Sequence, residues 1–196
     1  MTVTAAGWRI PVRRLTRLDA VLITAAGIGV LATETHMRQV EASVSAFVLR
    51  ITHLAPVAHP TGSAVIFTQD NHWVGYSIAA GCTAALLIAP FFFVSAALLL
   101  SGRVSVRRGL IALLIASALV WAVNQLRLLL IAASMQLWGF RTGYNRSHVL
   151  AGGVLSTFGV AIGIVLFLAV MIRERPSTRP PTPSKSPSKS SHMEDQ

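Results

Sequence analysis

Four apolar stretches limit what this chain can fold into. They cover about residues 18–33, 78–100, 110–133 and 149–172, and crossing a hydrocarbon core of about 30 Å takes about 20 helical residues. The rest of the composition agrees. The chain is 53% hydrophobic and only 12% charged, with a mean hydropathy of +0.61, a balance that does not suit a soluble domain. We therefore expect an all-α integral membrane protein of about four transmembrane helices, with an outer connection that is part amphipathic and part irregular. Residues 1–17 form a basic amino-terminal segment, 18–172 the membrane domain, and 173–196 a tail. The first run is the shortest. It follows Arg9, Arg13, Arg14 and Arg17 and has a weak twin-arginine look, but no small-x-small cleavage site follows it, because Ala32 leads into "TETHM". It reads as a retained signal anchor. Pro90 predicts a kink in the second run.

The formal charge of +10 does not point to nucleic acid, because the basic residues form no stripe with interleaved aromatics. They flank the apolar runs instead. With four spans, Arg9, Arg13, Arg14, Arg17, Arg103, Arg107, Arg108, Arg173, Arg175, Arg179, Lys185 and Lys189 share one side. Arg38, Arg50, Arg127, Arg141 and Arg146 fall toward the other. By the positive-inside rule both termini are cytoplasmic, in a plasma-membrane protein. Trp73, Tyr76, Trp138 and Tyr144 then mark the outer interface. A single cysteine, Cys82, excludes an intrachain disulfide and a Cys-rich metal site.

Residues 34–77 are too long for a simple turn. Val40, Val44, Phe47, Ile51 and Leu54 recur at helical spacing, which predicts an amphipathic helix either at the interface or packed on the bundle. The punctuated stretch "HPTGSAVIFTQDNHWVGYS" predicts a strand pair or irregular turns. The tail is rich in Pro, Ser and Lys and cannot build a core. It reads as disordered and cytoplasmic, with weak attraction to anionic lipid.

Depth sorts the polar residues. Cys82 is expected about one turn below the outer start of the second run, while Arg127 lies about 25 Å up the third. Asn124 precedes Arg127 by one helical turn, and His148 opens the fourth run after "GYNRS". Taken singly, each has an ordinary explanation. A lone apolar-run cysteine is most often a small buried hydrophobe, and an arginine near a helix end snorkels. A histidine at a helix start is often just solvated, and an intramembrane asparagine more often bonds between helices than reacts. Their convergence at one level is what points to chemistry. Cys82 supplies a nucleophile, His148 a base and later an acid, and Arg127 a stabiliser of thiolate or oxyanion. These are the parts for acyl transfer through a thioester. No carboxylate lies in the second, third or fourth run to orient the histidine, which leaves Asn124 or Asn145 as supporting residues.

"GCTAAL" at the head of one run, "NQLR" late in the next and "HVLAG" opening the last resemble the exosortase/archaeosortase core over about residues 76–163. The resemblance implies a polytopic cysteine transpeptidase, a short minimal member of the family, acting on exported proteins that carry C-terminal sorting signals. Cys82, Arg127 and His148 would be its catalytic residues, at the outer face. It implies no cofactor and no metal; its partners are those protein substrates and membrane lipid, with no nucleic acid. Two features depart from the family pattern: Thr83-Ala84 follow the cysteine where Ser-Gly is common, and many members have about twice as many spans. Three other classes stay open. A transporter or channel would need polar residues through the whole depth. A non-enzymatic assembly subunit would use Gly152, Gly153, Gly159 and Gly163 for packing. A metalloprotease would have to recruit His36, His53, His59 and His72, although no H-E-x-x-H occurs.

Overall fold

A computed structural model describes residues 12–102, 104–147 and 152–172. The tail from residue 173 onward lies outside them. In chain order the elements are α1 (Val12–Ala32), α2 (Glu34–Ile51), β1 (His59–Thr61), β2 (Ala64–Gln69), β3 (His72–Ser77), a 3-10 turn (Ala80–Cys82), α3 (Ala84–Leu100), α4 (Val106–Trp138), α5 (Phe140–Arg146) and α6 (Gly152–Ile172). Helices α1, α3, α4 and α6 fall on the four apolar runs. Of these, α4 and α6 are each long and apolar enough to cross a bilayer. Helix α1 meets that measure only together with α2, across a bend of 67°, and α3 is shorter, at 17 residues.

The second apolar run was expected to be helical from Ile78, and here the structure corrects the sequence reading. Thr83 is extended (φ −83°, ψ 145°), and its hydroxyl accepts from Ala85 N–H, so it caps α3 and the helix begins only at Ala84. Cys82 consequently sits on the turn ahead of the helix, not one turn inside it. Helix α4 is longer than expected at 33 residues, or about 50 Å. No Gly or Pro interrupts its second half, and it stops only at Gly139, whose φ is +79°.

The fold is mostly helical, and the connection between α2 and α3, where the sequence predicts a strand pair or irregular turns, holds an antiparallel sheet of order β1-β2-β3. Val65 and Phe67 alternate into a core while their neighbours face outward. Asp70 and Asn71, both at positive φ, close the β2–β3 hairpin in two residues. Tyr76, expected in an outer aromatic belt, is instead buried under this sheet. Helix α2 forms as its spacing predicts, but its apolar stripe does not face the protein. Val40, Phe47 and Ile51 are exposed, and Glu41, Ala42, Ser45, Ala46 and Leu49 face inward.

Two cores result. One lies among α1, α3, α4 and α6, around Ile88, Phe91, Leu99, Leu113, Val120 and Phe167. The other joins α2, the sheet and the last turns of α4, around Leu49, Val65, Phe67, Ile78, Ile131 and Met135. Gly159 lets α6 close onto Val123 of α4, and Gly163 meets Val120. Both glycines are therefore used inside this chain, not kept for a partner helix.

Candidate active site

The site lies where the two cores meet. The backbone of Cys82 is fixed by its own turn, whose N–H donates to Ala79 O at 2.8 Å. Its thiol is partly buried, and Cys82 packs on the core formed by α2, the sheet and the last turns of α4. Arg127 reaches it from α4, with Nη2 donating to Cys82 Sγ at 3.1 Å. Arg127 is 8% exposed, and its Nε has no hydrogen-bond partner among the described residues. The first residue of α6 makes room for it: a Cβ on Gly152 would stand 2.9 Å from that Nε. Three elements thus fix one thiol–guanidinium pair.

Sequence reasoning missed Glu41. It looks like one more polar residue on an amphipathic helix, yet it is fully buried. Its Oε1 accepts from Ala84 N–H at 2.8 Å and from the Thr83 hydroxyl at 3.3 Å, so a carboxylate from α2 clamps the two residues that follow Cys82. A carboxylate at a helix amino terminus is favoured by the unsatisfied amides there. Burial pushes the Glu41 carboxyl up from its ordinary value, against the pull of the Ala84 amide, the Thr83 hydroxyl, Asn124 and the Arg127 charge. The readable signal was position, because Glu41 shares the inward face with Ala42, Ser45 and Ala46. Nearby, Arg38 pairs with Glu34 at 2.9 Å and reaches Ile78 O at 3.4 Å, and Ser45 donates to Gln125 Oε1 at 2.9 Å. Helix α2 is thereby tied to both the cysteine segment and α4.

The other expected residues divide. Asn124 is buried beside Glu41, and neither its oxygen nor its nitrogen has an aligned hydrogen bond. Asn145 is exposed on α5 and makes no hydrogen bond with Cys82 or Arg127 among the described residues. His148 lies outside the described residues. His36, His53, His59 and His72 form no cluster suited to a metal ion there.

One space adjoins the pair, and a second lies along α3. A recess beside the thiol is lined by Ser77, Ile78, Cys82, Arg127, Ile131 and Tyr144. Further along α3, and in contact with neither Cys82 nor Arg127, an apolar cavity of about 320 Å³ opens between α3 and α6, lined by Leu86, Pro90, Phe91, Val94, Val160 and Ile164.

The sequence model of a family described as transmembrane exosortase matches residues 1–168. No curated protein and no solved structure matches the chain.

Proposed function

Because this chain belongs to the transmembrane exosortase family, we propose that it is a membrane-embedded cysteine transpeptidase that cleaves C-terminal sorting signals of exported proteins through a thioester on Cys82. The observation that carries this reading is the 3.1 Å contact between Arg127 Nη2 and Cys82 Sγ in a site largely shielded from solvent. Sγ attacks the scissile carbonyl, forming a C–S bond as the carbonyl electron pair moves onto oxygen. The Arg127 guanidinium stabilises that oxyanion, as fixed donors in a dry site do. His148 takes the thiol proton and returns it to the departing amine as the C–N bond breaks. An incoming amine or water then releases the acyl group from sulfur. Glu41 acts through the backbone, holding Thr83 and Ala84 so that the cysteine stays against Arg127, and Asn124 supports the same corner.

The membrane arrangement belongs to the same proposal. All four apolar helices cross, and α3 does so at about 26 Å with Pro90 within it. Residues 1–17 and 173–196 are cytoplasmic, and the site faces outward in the plasma membrane. The division of basic residues supports this orientation. The outward apolar stripe of α2 supports its lying in the outer interface. The cavity between α3 and α6 suits the apolar part of a sorting signal.

The test is mass spectrometry of envelope proteins from cells carrying the wild-type chain or Cys82→Ala. C-terminal cleavage of at least one exported protein should vanish in the variant. Identical C-termini in both strains overturn the proposal.

A further inference from the structure

Strand β3 is an edge strand that leads directly to the cysteine. Which of its backbone groups face the open side follows from the alternation of hydrogen bonds in an antiparallel ladder. The two-residue turn at Asp70–Asn71 makes Gln69 and His72 a bonded pair. At the other end Ile78 N–H donates to Ser63 O at 2.8 Å. With the register pairing Phe67 with Val74 and Val65 with Tyr76, the residues bonded to β2 are His72, Val74 and Tyr76. Trp73, Gly75 and Ser77 therefore turn their N–H and C=O groups away from the sheet. Among the described residues no other element bonds to them, and Trp73 and Ser77 are exposed. The opposite edge differs, because β1 has only three residues and packs against α2.

An open row of alternating donors and acceptors is satisfied by one kind of ligand, another extended backbone. This row ends in the recess that holds Ser77, Cys82 and Arg127. We propose that the free edge of β3 is the substrate subsite for the segment preceding the cleaved bond, where an extended peptide pairs with Trp73, Gly75 and Ser77 and delivers its carbonyl to Cys82. This rests on the cysteine-peptidase reading above. Direction follows from topology: β3 runs from its turn toward Cys82 and then into α3. A substrate whose apolar segment follows the cleaved bond runs the same way, so it pairs parallel to β3 and continues into the cavity beside Leu86 and Pro90. Recognition is then mainly through the main chain. Side-chain selectivity falls on every second position, as the alternation of an extended strand requires.

The experiment uses the purified full chain and a reporter ending in the C-terminal segment of an exported protein that accumulates uncleaved in Cys82→Ala cells. Ser77→Pro removes one outward N–H and sets a ring against any added strand, while the bonds to β2 through Tyr76 and Ile78 remain. KM for the reporter should rise about tenfold, with alkylation of Cys82 by iodoacetamide and thermal unfolding unchanged. The wild-type enzyme supplies a second arm that involves no variant. Backbone amides of the reporter upstream of the cleaved bond are replaced one at a time by esters. KM should rise about three- to tenfold at alternate positions and stay at the parent value between them. An ester scan without that two-residue period, or a well-folded Ser77→Pro with unchanged KM, overturns the subsite. Either result leaves the catalytic reading standing, whereas cleavage of the reporter by Cys82→Ala overturns both.

Discussion

Replacing Gly152 with alanine should damage the site while sparing the fold. The added Cβ would lie 2.9 Å from Arg127 Nε, where ordinary contact begins at 3.4 Å, so one group must yield by about half an ångström. The next atom met is Ser147 O, already at 3.4 Å, and a backbone carbonyl moves less readily than a side chain. Arg127 therefore moves. Its Nη2 holds Cys82 Sγ at 3.1 Å, and a shift of that size removes most of a hydrogen bond involving a charged group, worth about 1.5–3 kcal/mol. That corresponds to a loss of about 10- to 100-fold in kcat/KM for reporter cleavage. Stability changes little, because a strained arginine rotamer costs about 0.5–1.5 kcal/mol and alanine returns up to about 1 kcal/mol in a helix. The assay pairs reporter cleavage with thermal unfolding in detergent. Wild-type cleavage by a normally folded Gly152→Ala would refute the claim that Arg127 must occupy its present position.

Other perturbations separate the remaining parts. Arg127→Lys keeps the charge but loses the planar donor fork, so cleavage should fall about 10- to 1,000-fold; kinetics near wild type would show that charge alone suffices. Burial raises the Glu41 carboxyl above its ordinary 4.5, so the folded state holds that proton more tightly than the unfolded state. Its contribution is then fully present below pH 4.5 and is lost as pH rises through the raised value. Glu41→Gln should flatten that part of the stability–pH curve measured by thermal unfolding, and a curve that keeps the wild-type slope would contradict it. A Cβ on Gly159 would collide with Val123, so Gly159→Ala should destabilise the α4–α6 contact by about 1–3 kcal/mol. Unchanged unfolding would show that the helices separate freely.

How much of this was legible in the sequence depended on the solvent each residue meets. Apolar length alone revealed the helices, since a bilayer leaves few other solutions for such runs. Spacing revealed α2 but left open which of its faces turns inward. In water an apolar stripe points to the core, whereas in α2 the small residues Ala42, Ser45 and Ala46 pack inward. That inversion also concealed Glu41. The approach of Cys82 to Arg127 was legible because Cys82 falls near the start of its run and Arg127 near the end of the next, which runs back the other way. The local frame of the cysteine was not read, although Thr83 ahead of "AALL" carries an N-cap signal. The third strand escaped because β1, "HPT", has no alternation to detect.

The central claim is a covalent bond between the sole cysteine and an acyl group. The most direct measurement incubates the wild-type chain with an uncleaved reporter, quenches in acid and analyses the protein by mass spectrometry with and without neutral hydroxylamine. The account predicts a reporter-derived acyl adduct on the peptide containing Cys82, released by hydroxylamine and absent from Cys82→Ala. Full cleavage of the reporter by Cys82→Ala would contradict it.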